Sequence, residues 1–76
     1  MNGKMNVNIE INNTLIESRR RAMSYTNKEL ALALGYNSEG TVRNKIKGIR
    51  KWSEDDIQRL IDILNVSYEE LTEVIM

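Results

Sequence analysis

An all-α domain of five short helices, led by a segment with strand period, is the fold this sequence predicts. Three observations predict it. First, Thr26-Asn27-Lys28-Glu29, Ser53-Glu54-Asp55-Asp56 and Ser67-Tyr68-Glu69-Glu70 each put a hydroxyl at a helix cap. An acid follows three residues later, where its carboxylate can reach back to the cap N–H; Asp56 is the shorter and less usual choice. Second, each cap has an apolar residue before it (Tyr25, Trp52, Val66) and another four residues on (Leu30, Ile57, Leu71), the spacing of a hydrophobic staple. Third, Ile57, Leu60, Ile61 and Leu64 fall on one helical stripe. Seventy-six residues are too few for two cores, and 41% hydrophobic with 29% charged residues suits one globular domain.

Each element can be read in order. Met5, Val7, Ile9 and Ile11 alternate with Asn6, Asn8, Glu10 and Asn12, which is strand period. Residues 1–13 are thus an N-terminal tail or strand, and residues 14–76 are the helical domain. A lone strand needs a partner: either it pairs with the same segment of a second subunit, or it stays an ordered or frayed tail. The first helix runs from Thr14 to Met23, with Leu15, Ile16, Arg19, Ala22 and Met23 near one face. The second runs from Asn27 to Leu34, and Gly35 stands where a left-handed C-terminal residue is wanted. The third, Glu39 to Lys47, turns Val42 and Ile46 inward and ends at Gly48. The fourth covers Glu54 to Leu64 and the fifth Tyr68 to about Val74. Leu60, Ile61, Leu64, Leu71 and Ile75 read as core, Trp52 as staple and core, and Tyr36 as a cover for the turn.

Composition excludes several functions. There is no Cys and no His, which removes zinc ribbons, disulfide scaffolds, thiol catalysis and His-based mechanisms. The clustered carboxylates, Glu54-Asp55-Asp56 and Glu69-Glu70 with Glu73, are accounted for by caps and helix dipoles, and no glycine-rich phosphate loop follows a strand. Neither an enzyme nor a cofactor or metal site is expected. The longest apolar run is Leu30 to Leu34, too short for a membrane span, and Met1 to Ile11 is polar and Asn-rich, unlike a signal peptide. The expected compartment is the cytoplasm.

Net charge is zero but unevenly spread. Residues 1–51 hold ten Lys/Arg against four Asp/Glu, and residues 52–76 hold one Arg against seven acids. A polyanion responds to the local field of one face, so overall neutrality does not exclude a nucleic-acid partner. The second helix, a tight turn and the third helix form a helix-turn-helix unit, with the small Ala31 at the crossing. With Val42 and Ile46 inward, the outward face of the third helix centres near Asn44, with Gly40, Thr41 and Lys47 beside it and Arg43 at its margin. Asn, Arg, Lys and Thr can read base edges. Lys45, Lys47, Arg50 and Lys51 form the densest basic cluster, in a region expected to be exposed. Arg19-Arg20-Arg21 is either a phosphate contact or a solvated face partly paired with Glu17 or an acid of the fourth helix.

These residues resemble the Cro/lambda-repressor-like helix-turn-helix family, especially the small phage and prophage regulators. The matching positions are Arg20, Thr26 to Ala31, Gly35, Thr41-Val42-Arg43-Asn44-Lys45-Ile46-Lys47-Gly48, Trp52-Ser53 and Leu64 to Leu71. The resemblance covers residues 14 to 75. It implies a five-helix lambda-repressor-like domain that binds palindromic double-stranded DNA operators, usually as a homodimer. It places Thr26, Asn27 and Lys28 on the phosphate backbone. Thr41, Arg43, Asn44 and Lys47 enter the major groove, Ser38 and Glu39 stand at its leading end, and Arg50 and Lys51 lie on phosphate. Ser38-Glu39-Gly40 holds one residue more than the commonest family pattern, which displaces the base-reading positions by about one. Glu39 can accept from cytosine N4 or repel phosphate, and Asn27 replaces the family's usual Gln. The acidic fourth and fifth helices would face away from DNA. The alternative is an antirepressor or modulator that binds another phage or host regulator.

Overall fold

Helix starts and stops, set by local chemistry, lay out the architecture. The computed structural model describes residues 8–75, in the order β1 (Asn8–Ile11), α1 (Asn13–Ala22), α2 (Asn27–Ala33), α3 (Glu39–Ile46), α4 (Glu54–Leu64), α5 (Tyr68–Leu71) and β2 (Thr72–Ile75). All three expected capping boxes form: Thr26, Ser53 and Ser67 accept from the third backbone N–H, and Glu29, Asp56 and Glu70 accept from the cap N–H. Asn12 caps α1, its Oδ1 accepting from the Leu15 N–H at 3.0 Å. The chain is therefore all-α in its body, and none of the described helices is long and apolar enough to cross a membrane.

The helix ends share one device. Ser24, Gly35, Gly48 and Asn65 are the positive-φ residues among those described. The N–H of the next residue reaches back five positions each time: Tyr25 to Arg20, Tyr36 to Ala31, Ile49 to Asn44 and Val66 to Ile61, at 2.8–3.2 Å. This is the six-to-one hydrogen bond of a Schellman motif, which satisfies carbonyls the helix leaves open.

The first strand finds its partner within the chain. β1 pairs antiparallel with β2, Ile9 opposite Val74 and Ile11 opposite Thr72, and the Asn12 N–H extends the ladder to the Leu71 carbonyl at 2.8 Å. The partner this strand needs is thus supplied by the chain's own C-terminal segment. The expected fifth helix is cut short for the same reason: it ends at Leu71, and the β-branched Thr72, Val74 and Ile75 suit the ladder better than a helix. Met5 and Val7 lie outside the described residues, as does the side chain of Ile75.

Ile16, Leu30, Leu34, Val42, Leu60, Leu64 and Leu71 are fully buried, joined by Trp52 as expected, while Ile61 is partly buried against them. The Trp52 Nε1 donates to Asn13 Oδ1 at 2.8 Å, so the indole is both buried and satisfied. Three arginines close helix ends or loops. Arg59 donates to the Leu34 carbonyl at 2.8 Å, Arg19 to the Leu64 carbonyl at 3.1 Å, and Arg20 to the Tyr25 carbonyl at 2.6 Å.

One polar network sits among these apolar residues. Lys45 and Asp56 are buried and form an ion pair, Nζ to Oδ2, at 2.6 Å. The Tyr36 hydroxyl donates to the Asp56 carboxylate at 2.8 Å and accepts from Lys45 Nζ at 3.0 Å. Lys45 Nζ also lies 5.0 Å from the Tyr36 ring centre and 5.6 Å from that of Trp52, within cation–π range. Burial alone raises the Asp56 carboxyl, but hydrogen bonds from Lys45, the Ser53 N–H and Tyr36 outweigh it and hold the group below its ordinary value. Burial likewise lowers Lys45, and the bonds to Asp56 and Tyr36 reverse that and raise it. Three expectations are corrected here. Lys45 is not exposed, Asp56 does more than cap a helix, and Tyr36 ties the turn to α4.

The sign of the pH dependence follows. The lowered Asp56 contributes stability above about pH 4, lost as pH falls through its native value; the raised Lys45 contributes below about pH 10.5, lost as pH rises through its own. Acid unfolding of Asp56→Asn is therefore expected to be shallower below pH 4 than that of the parent chain. Lys45→Met, which leaves the buried carboxylate unpaired, should cost ~3–5 kcal/mol, and Lys45→Met with Asp56→Asn should recover part of that loss. Urea unfolding across pH, followed by Trp52 fluorescence, checks all three.

Candidate nucleic-acid interface

The unit that carries the expected site is α2, the turn at Gly35 and α3. Ala31 and Val42 are buried where the two helices meet, so small and β-branched residues allow a close crossing. Gly35 takes φ +90°, and a Cβ there would meet Arg59 Nη1 at 3.3 Å. Ser38 caps α3, its Oγ accepting from the Gly40 N–H at 3.2 Å.

The Lys45–Asp56 pair decides which way α3 faces. With Val42 and Lys45 both buried, Glu39, Arg43 and Lys47 are left exposed, while Gly40, Thr41, Asn44 and Ile46 are half-buried. At 100° per residue, the exposed three span a sector of about 80° centred on Arg43. The outward face is thus centred on Arg43 and not on Asn44, which lies about 100° round the helix. The loop after α3 also folds back on Asn44, whose carbonyl accepts from the N–H groups of Ile49 and Arg50 at 2.9 and 3.2 Å.

The remaining expected contacts divide by what the fold uses them for. Thr26 and Ser38 are exposed but act as caps. Lys28 is exposed beside the α2 cap. Asn27 is half-buried, and its Oδ1 has no hydrogen-bond partner among the described residues. Arg43 pairs with Glu39 at 3.3 Å on the helix surface. Lys47, Arg50 and Lys51 are exposed and form no ion pair among the described residues. Arg50 and Lys51 also wall a cleft of about 530 Å³, where Glu10 and Glu54 join Trp52 and Tyr68. With Lys45 neutralised by Asp56, that cleft is charge-balanced.

The basic triplet of α1 is largely spent on the fold. Arg20 grips Glu17 through two hydrogen bonds, at 2.8 and 3.1 Å, besides its bond to Tyr25. Arg21 is exposed and also pairs with Glu17, at 3.1 Å. The hydrogen bond from Arg20, helped by the nearby positive charges, lowers the Glu17 carboxyl against the opposing effect of burial. Among the described residues no group of three metal-ligating side chains converges. The chain matches no protein-family model, no curated protein and no solved structure.

Exposure separates two classes of basic residue by their cost. Lys47→Ala and Arg50→Ala should change stability by no more than ~0.5 kcal/mol. Arg20→Ala strips Glu17 and the Tyr25 carbonyl of a partner and should cost ~1–3 kcal/mol. Urea denaturation of the three variants measures the difference.

Proposed function

We propose that this chain is a sequence-specific regulator of transcription that binds double-stranded DNA, with α3 in the major groove. The observation that carries this reading is the set of exposed cations around the helix-turn-helix unit that form no ion pair among the described residues: Lys28 at the start of α2, Lys47 at the end of α3, and Arg50 and Lys51 in the loop beyond. Phosphate contacts from these four supply affinity, and the exposed side of α3 supplies sequence choice. Arg43 at its centre is suited to guanine, and Lys47 and Glu39 lie on either side of it. The action is occupation of a promoter, without chemistry, in the cytoplasm. Binding as a homodimer on a palindromic operator rests on the family resemblance. The acids of α4 and α5 lie later in the chain, and Asp55, Asp62 and Glu69 are exposed.

Those exposed acids favour one second reading, a module that binds another regulatory protein. Charge reversal separates the two. Lys47→Glu with Arg50→Glu abolishes function if DNA is the partner, and Asp55→Lys with Asp62→Lys abolishes it if an acidic face is read.

Selection of duplexes from a random-sequence pool, followed by mobility shifts on the selected duplex, tests the proposal. Four phosphate contacts per chain predict a slope of log K against log salt of about −3 to −4, or on the order of a hundredfold loss per protomer between 50 and 200 mM. Arg43→Ala should cost ~1–3 kcal/mol and relax one base position, and Lys51→Ala should weaken all duplexes alike and flatten the slope by about one. No enriched duplex, or binding that ignores salt, contradicts the reading.

A further inference from the structure

The four helix-ending motifs differ at one position. In a Schellman motif the residue after the left-handed one is usually apolar and packs back on the helix three residues from its end. Val66 is buried at that position, and Tyr25 and Tyr36 are half-buried and packed on the core. Ile49 occupies the same position after α3, yet it is 69% exposed. The residue it would pack on is Asn44. The backbone holds Ile49 in place nonetheless, through its own N–H to the Asn44 carbonyl at 2.9 Å and that of Arg50 to the same oxygen at 3.2 Å. Ile49 is thus a β-branched apolar side chain, stiff at χ1, on a loop fixed at both ends. It is the most exposed of the large hydrophobic residues described.

Its surroundings limit what can cover it. Lys47, Arg50 and Lys51 flank it within two residues on either side, all exposed and unpaired among the described residues, and no acid lies between Arg43 and Trp52. Whatever buries Ile49 meets three cations around an apolar spot, of which Arg50 and Lys51 also line the cleft shared with Glu10 and Glu54. A duplex has the complementary alternation: phosphates about every 3.4 Å of helix axis along each strand, with deoxyribose edges and thymine C5-methyl groups between them. We infer that Ile49 is an apolar contact to duplex DNA, packed on a thymine methyl or a deoxyribose edge within the phosphate contacts made by its neighbours. This rests on the DNA-binding reading above and deepens it, because it names a non-ionic contact that charge does not reveal.

The probe is the duplex selected with the parent chain, and the readout is affinity over a range of salt. Ile49→Ala should weaken binding roughly tenfold at every salt concentration, through loss of buried aliphatic carbon. The slope of log K against log salt should stay that of the parent, in contrast to Lys47→Ala or Arg50→Ala, which flatten it. Thermal unfolding of Ile49→Ala should match the parent, because the side chain is in solvent. Replacing thymine by deoxyuridine, position by position, tells the two apolar surfaces apart. If one replacement weakens the parent and leaves Ile49→Ala unchanged, Ile49 covers a methyl. If no replacement has that effect while the salt-independent loss persists, it covers a sugar edge. Equal affinity of Ile49→Ala and the parent at all salts overturns the inference and leaves the isoleucine to a protein partner, while DNA binding itself stands. Failure to select any duplex instead sinks the underlying reading.

Discussion

A single buried ion pair sets the orientation of α3, on which the proposed DNA contact depends. Lys45 of α3 and Asp56 of α4 meet at 2.6 Å inside the apolar core, with the Tyr36 hydroxyl bridging them. Such a pair adds little net stability, since desolvation of both ions offsets their attraction, but breaking it leaves a buried charge. Its effect is directional. By drawing Lys45 inward beside Val42, it rotates α3 about its axis and presents Glu39, Arg43 and Lys47 to solvent. The same contact joins the turn of the helix-turn-helix to the first turn of α4. Asp56 serves both ends of this arrangement, because it also accepts from the Ser53 N–H at 3.1 Å.

The second constraint is how the helices end. Left-handed residues at Ser24, Gly35, Gly48 and Asn65 turn the chain after α1 to α4, each followed by a hydrogen bond back across the turn. Three of the turns fold an apolar residue back against the core. The fourth, after α3, leaves its isoleucine outside among lysines and arginine. A small domain exposes apolar surface as a matter of course, yet it gains nothing in folding from a fixed isoleucine in water. Burial in a complex would supply the gain.

Much of the fold was legible because its signals are local. A capping box needs only residues three apart, and all three formed; α4 runs over the expected residues for the same reason. The strand period of residues 5–11 was visible, but its partner was not. Thr72 to Ile75 follow a strong helix start, and only their β-branched content spoke for a strand. Lys45 was misplaced because helical period, anchored on Val42 and Ile46, puts it outside. Its burial depends on an acid eleven residues away, and the short Asp56 in a position that favours Glu was the one trace of that second task. The pairing of the arginine triplet with Glu17 was legible because it is local, whereas the carbonyls that Arg19 and Arg20 cap, on Leu64 and Tyr25, are fixed only by the tertiary fold. The exposure of Ile49 was not legible, because whether the residue after a left-handed glycine packs back on its helix is settled by the tertiary fold and not by its spacing from Gly48.

The orientation of α3 can be measured directly, because the chain contains no cysteine and each single-cysteine variant carries one thiol. Thiol-labelling rates of Arg43→Cys, Asn44→Cys and Lys47→Cys report the exposure of each position. The account predicts fast labelling at 43 and 47 and slower labelling at 44. Asn44→Cys labelling as fast as Arg43→Cys in the otherwise intact chain would contradict it.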